Sequence, residues 1–266
     1  MSPSRDARES RWGSADGGAR STGSSSLQVA VESFASNNCG MSSTANELRV
    51  LVANPPTDLV VHFDAVTEMH EHRQFLNLAA AVAMSQTFRE FHPLATALGL
   101  VFLDDANTSN YHAYITIGPL ASAILYLSHD GDTRAVFPAL ADYRADLQAA
   151  YEEGEYSFDA HDEPPIQARD QAALTARIAQ LIEEDEEAEL LVLLASWNAS
   201  SEIELKQLVR HPNFFVAEAN GNTIARLARP ELLPFANILT GHPHSQAANA
   251  GKRAMAAIQG TEKRNP

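Results

Sequence analysis

The chain has 266 residues, of which 45% are hydrophobic, a formal net charge of −15 and a single cysteine, Cys39. The length exceeds one ordinary domain and the apolar content suffices for real cores, yet no run approaches the roughly 20 consecutive apolar residues of a membrane-spanning helix. The charge repels nucleic-acid phosphates and anionic lipid, so neither nucleic acid nor membrane is an expected partner, and one cysteine excludes an internal disulfide or a cysteine-rich metal site.

Residues 1–46 are rich in Ser, Gly, Ala and Asn, with four arginines against four acids, a composition that buries too little surface to offset its ordering entropy. They are expected to form a disordered leader. The stretch lacks the apolar core of a secretory signal, and Asp6, Glu9 and Asp16 are unlike a transit peptide, so a cytoplasmic location is expected. Apolar patterning begins after Met41, which makes Met41 an alternative start to Met1.

From residue 47 to 99 the period is helical. Phe88, Phe91, Ala95 and Leu98 fall on one stripe that Gly99 ends, while Pro93 either starts a short helix or kinks a longer one, because it has no amide to donate. His70, Glu71 and His72 point to different sides of a helix and cannot clamp one metal, and His62 with Asp64 alternates as on a strand but lacks a third ligand.

After Gly99 the period shortens. Apolar runs at 100–103, 111–117, 123–128 and 133–137 are separated by polar turns, which predicts an antiparallel meander, and Asp130-Gly131 marks a hairpin because glycine accepts positive φ. Leu140, Tyr143, Leu147 and Tyr151 then recur at helical spacing, so a helix is expected to pack back on the meander.

Between residues 151 and 189 there are thirteen acids against two arginines, and Pro164-Pro165 marks the expected domain boundary. The run EEDEEAE reads as a solvated helix start, where carboxylates complement the dipole, in preference to a decoy for a basic partner. Beyond it the chain is wholly helical, with Trp197 as a core aromatic. His211-Pro212 and His242-Pro243 stand 31 residues apart, and in the same register Ala217 meets Ala248, Ala219 meets Ala250, Ile224 meets Met255 and Leu227 meets Ile258. This resembles stacked helical pairs of the HEAT type. The expected organisation is a leader at 1–46, an α+β domain at 47–155, an acidic linker at 156–176, a helical region at 177–262 and a tail at 263–266. The fold class is α+β, an antiparallel meander with packed helices followed by an all-α helical-pair region.

Two constellations invite chemistry. His112, His129, Asp130 and Asp142 follow the order of the His, His-Asp, Asp metal set of phosphohydrolases, which makes a metal-dependent hydrolase the rival reading, although His129-Asp130 here ends a strand where a hairpin turn is the simpler account. Asp104 and Asp105 with Asn107 offer oxygens to a hard cation but lack the spacing of an EF-hand, so capping of the loop is expected instead. Gly-rich phosphate loops, G-x-S-x-G elbows and Cys–His pairings are absent from the sequence.

Residues 88–147 carry GLVFLDDANTSN, YHAYITIGP, ILYLSHDGDTR and FPALADYRADL, and in this order the segments resemble the SUKH superfamily, the Smi/Knr-type regulators of cell-wall synthesis and their bacterial relatives. The resemblance implies a compact α+β domain which, in bacteria, commonly serves as an immunity protein that neutralises a polymorphic toxin. It implies no enzyme, no metal and no cofactor. The loop carrying Asp104, Asp105, Asn107 and Asn110, together with His112 and the turn carrying His129, Asp130 and Asp132, is then expected to rim a partner surface. The expected partner is a protein, a basic toxin domain, which the acidic surface would steer. A third reading is a regulatory scaffold whose C-terminal helices hold a second partner.

Overall fold

The computed structural model describes residues 42–69, 75–104, 109–153 and 164–262, so most of the expected leader, the loop residues Asp105 and Asn107, the His70–His72 triplet and the acidic core of the expected linker lie outside the described residues. Among the described residues three helices precede Pro93: α1 (Ser43–Leu48), α2 (Thr57–Met69) and α3 (Leu78–Phe91). The first begins inside the stretch expected to be leader, where the Ser42 hydroxyl accepts the Ala45 N–H at 3.1 Å, and Asn77 caps α3 through Ala80 in the same way at 2.9 Å. His62 and Asp64 lie in α2, which overturns their reading as a strand pair.

Pro93 resolves as a helix start. His92 is extended and α4 (Pro93–Ala97) begins at the proline, so the single stripe through Phe88 and Leu98 is broken and Phe91 is left 64% exposed. At the end of α4 the Gly99 N–H donates to Thr96 O and the Leu100 N–H to Ala95 O, with Gly99 at φ +59°, the paired bonds of a Schellman stop. A Cβ at Gly99 would collide with Thr116 Oγ1, so both backbone and space demand glycine.

The meander follows, with strands β1 (Val101–Phe102), β2 (Tyr111–Tyr114), β3 (Ile124–Leu127) and β4 (Arg134–Phe137) joined antiparallel in sequence order. Phe102 faces Ala113, His112 faces Tyr126, and Leu125 faces Ala135, with a bulge at Ile124/Leu125. Strand β2 stops three residues short of the expected 117. Thr116 is drawn aside by the α4 stop, its N–H donating to Leu98 O and its hydroxyl to Gly99 O.

Both faces of the sheet are covered. Leu100, Phe102, Ala113, Ile115, Leu125 and Leu127 join one core with α4 and the C-terminal helices, while Val101, Leu103, Tyr114, Ile124, Tyr126 and Val136 join another with α1, α2 and α5 (Leu140–Glu153). Burial on two sides explains why the strands read as continuous apolar runs and not as alternation. Leu140, Tyr143 and Leu147 of α5 pack on the second face, as their spacing predicts.

The remaining chain is helical: α6 (Gln171–Glu184), α7 (Glu187–Ser196), α8 (Glu202–Leu208), α9 (Phe214–Leu227), a 3₁₀ turn (Pro230–Leu232), α10 (Leu233–Thr240) and α11 (Ser245–Glu262). The starts of α8 and α10, and of α9 and α11, differ by 31 residues, and across that register His242 Nε2 meets His211 O at 3.2 Å while Arg253 Nη2 donates to Asn222 Oδ1. Gly221 brings α9 against Ala250 of α11, where a Cβ would lie only 2.7 Å from that alanine's own. These helices share their core with the sheet: Ile178, Leu193 and Trp197 belong to the same cluster as Phe102 and Leu125. The segment after Pro164-Pro165 runs beside β4, its Ile166 N–H donating to Ala135 O. The residues expected as an α+β domain and as a helical region thus lie within one compact unit, Ser42–Pro266. Among the described residues no helix is long and apolar enough to cross a membrane.

Candidate functional site

The loop expected to rim a surface starts from the interior. Asp104 and His112 are only 2% and 1% exposed, so these two candidates cannot touch a partner. The β1–β2 connection turns their side chains toward each other. Asp104 Oδ1 accepts the His112 N–H at 2.7 Å, its Oδ2 accepts His112 Nδ1–H at 2.6 Å, and the same oxygen accepts the Tyr143 hydroxyl at 2.7 Å. Burial, reinforced by Asp104, holds the Tyr143 phenol well above its usual range. Buried carboxyls survive only when their lone pairs are taken, and this one ties β1, β2 and α5 together.

His62 stands beside that cluster, fully buried between Phe63 and Phe75, each in edge contact with its ring. Neither ring nitrogen has a hydrogen-bond partner among the described residues. Burial, aided by Arg144 and opposed by Asp104, pushes its pKa down to about 3, so it is neutral at any ordinary pH.

The β3–β4 turn at the same end of the sheet is open to solvent. Gly131, at φ +90°, turns the β3–β4 hairpin as its sequence predicts, and the side chains of His129 and Asp130 are 74% and 90% exposed. Asn110 Oδ1 accepts the His129 N–H at 2.9 Å, Ser128 and Thr133 close the turn, and Asp132 is bound by Arg134. Of the expected rim, Asn110, His129, Asp130 and Asp132 therefore do stand together at an exposed turn.

That turn forms one wall of a groove of about 370 Å³, whose other walls are α7 and α9 with Pro165 at one end. Leu191 and Ala195 come from α7; Phe215, Glu218, Ala219, Asn222 and Arg226 come from α9 at spacings that share one helical face. Phe215 is 54% exposed, a large ring left outside the buried stripe of Val216, Ala217 and Ile224. Sequence reasoning missed this wall. The signal was present: Phe215, Ala219, Asn222 and Arg226 repeat at helical intervals along α9.

The hydrolase ligand set is not assembled. His112 is committed to Asp104, His129 lies on the exposed turn, and among the described residues no three His, Cys, Asp or Glu side chains are grouped to hold a metal ion. Trp197 is buried and donates Nε1–H to Thr175 Oγ1, as a core aromatic. The acidic run, expected as a helix start, spans the end of α6 (Glu183, Glu184) and the start of α7 (Glu187, Glu189), and Glu189 is buried and held by Arg177 at 2.9 and 2.5 Å, a lock between α6 and α7 that no solvated helix start requires. Comparison with protein-family models, with curated proteins and with solved structures finds no match to this chain.

Proposed function

We propose that this chain is a non-enzymatic protein-binding module of the cytoplasm, and that it neutralises a basic protein in the manner of a toxin-binding immunity protein. The observation that carries this reading is the groove: a concave surface with an exposed phenylalanine on one wall and Gly131–Arg134 on another, the residues that follow the exposed His129 and Asp130. Supporting it, both sheet edges are already occupied. The Phe102 N–H donates to Ser85 Oγ, the Leu76 N–H to Leu103 O, and the Ile166 N–H to Ala135 O, which leaves side-chain recognition, and not strand addition, as the mode of contact. The meander with its following helix supports the likeness to SUKH domains, and the 31-residue offset of the helical pairs supports the likeness to HEAT-type stacking.

Photo-crosslinking in the native cell tests the reading, with a photoreactive residue at position 129 and a control at Ile203, which is 70% exposed on α8. One basic protein is expected to be captured from position 129 alone. Its association should slow with added salt and with Asp130→Lys, because steering by surface charge acts on the rate of encounter. Equal capture from both positions, or none above background, would sink the proposal.

A further inference from the structure

One charge in the groove is unanswered. Arg177, Arg229 and Arg253 each have a carboxylate within 3.5 Å, whereas Arg226, half-buried on the groove wall, has none among the described residues. Its Nη2 donates to Trp197 O at 2.9 Å, the carbonyl that follows the end of α7, where a cation suits the helix dipole. That bond uses one of the five N–H groups a guanidinium offers, and burial holds its pKa below the ordinary arginine value. The nearby Glu218 is turned instead toward Arg253, and Asp132 toward Arg134. A partly desolvated cation without a counter-charge adds little to stability, but it is poised to bind an anion.

We propose that the groove seats a short segment of the partner protein which lays a bulky apolar side chain against Phe215 and Leu191 and brings an Asp or Glu carboxylate to Arg226. The proposal rests on the protein-binding role and adds the chemistry of the contact. A net charge of −15 does not forbid an acidic contact, since charges farther away than the screening length of about 8 Å are damped, and Arg226 itself lines the groove. Flanking cations on the partner would meet Asp130, Asp132 and Glu218 on the rim, while a Lys or Arg placed at Arg226 would be repelled. An acceptor within an otherwise basic segment is therefore what distinguishes the right partner from a merely basic one.

The test uses the full ¹⁵N-labelled chain titrated with three capped dipeptides, acetyl-Phe-Glu-amide, acetyl-Phe-Gln-amide and acetyl-Phe-Lys-amide, read by amide chemical shifts. Shifts are expected at Gly131, Ala195, Ala219 and Thr223, with the Glu peptide about ten-fold tighter than the Gln peptide and the Lys peptide weakest. Arg226→Met should abolish the Glu preference, and Phe215→Ser, at a half-exposed position that folding does not need, should weaken all three. Equal binding of Glu and Gln peptides, tightest binding of the Lys peptide, or shifts elsewhere would overturn the proposal. Shifts at these residues that grow with protein concentration alone would also overturn it, by making a second copy of the chain the occupant. A parent chain that shows no Glu preference while position 129 still crosslinks its partner refutes the anchor chemistry alone; absence of crosslinking refutes the binding role beneath it.

Discussion

His62 offers the sharpest physical test of the fold. Its ring is fully buried, both nitrogens lack partners among the described residues, and its pKa is pushed down to about 3 from 6.5, chiefly by burial and secondarily by Arg144, against the opposing pull of Asp104. The depressed value means that the unfolded chain takes up a proton below pH 6.5 which the folded chain refuses until near pH 3. Stability contributed by the neutral ring is therefore complete above pH 6.5 and falls as pH drops toward 3; between pH 7 and pH 5 the loss from this group is about 2 kcal/mol. His62→Leu keeps a similar volume between Phe63 and Phe75 and removes two unsatisfied polar atoms, so at pH 7 it should be neutral or stabilising by about 1 to 3 kcal/mol. Urea unfolding of both proteins at pH 7 and pH 5 reads the two quantities separately, and the gap between variant and parent should widen by about 2 kcal/mol at the lower pH. A variant that is destabilised equally at both pH values would refute the reasoning, since it would mean that the imidazole makes a needed polar contact and does not titrate on unfolding.

Gly99→Ala should cost at least about 2 kcal/mol in the same assay, because alanine must adopt the left-handed conformation and its methyl meets Thr116 Oγ1. Tyr143→Phe deletes one of the hydrogen bonds to the buried Asp104 and should cost about 2 kcal/mol, with a cost near zero showing that the remaining His112 bonds suffice. Ending the chain after Glu163 removes α6 to α11 and bares Phe102, Ile115, Leu125 and Leu127, so calorimetry should find no cooperative transition; a cooperative one would mean that the α+β part folds alone.

How far the sequence foretold this depends on the range over which each signal acts. The strands, the Gly99 stop, the Asp130-Gly131 turn and the α5 stripe are local, set by period and by residues that accept particular backbone angles; the last three stand where the pattern places them, and the four strands fall inside the expected runs but are shorter, β2 by three residues. What the helices pack against is not local. Nothing in the spacing of Ile178 or Leu193 says whether their stripe meets another helix or the back of a sheet, and both meet the core that holds Phe102. The same limit applies to the site. Asp104 and Asp130 are each an acid in a polar stretch at the same end of the sheet, yet one is buried and the other is exposed, because only the fold decides that α5 lays Tyr143 on Asp104 while the β3–β4 turn beside it projects into solvent. Glu189 illustrates the opposite error, an acid in a charged run whose partner, Arg177, lies on the preceding helix.

For the proposed binding role, these placements favour the seam between hairpin and helices. The sheet is covered on both faces, its edges are hydrogen-bonded, and its polar cluster of Asp104, His112 and Tyr143 is sealed, so changing any of these costs stability before it changes binding. His129, Asp130, Phe215 and Asn222 are exposed, and substitutions at such positions move stability by only about 0.5 kcal/mol in either direction. Arg226 lies between the two regimes, anchored to Trp197 O by one N–H and facing the groove with no carboxylate of its own among the described residues. The proposed role would draw on this division: a core that tolerates little, an exposed rim that tolerates substitution, and one charge against which a partner would be matched.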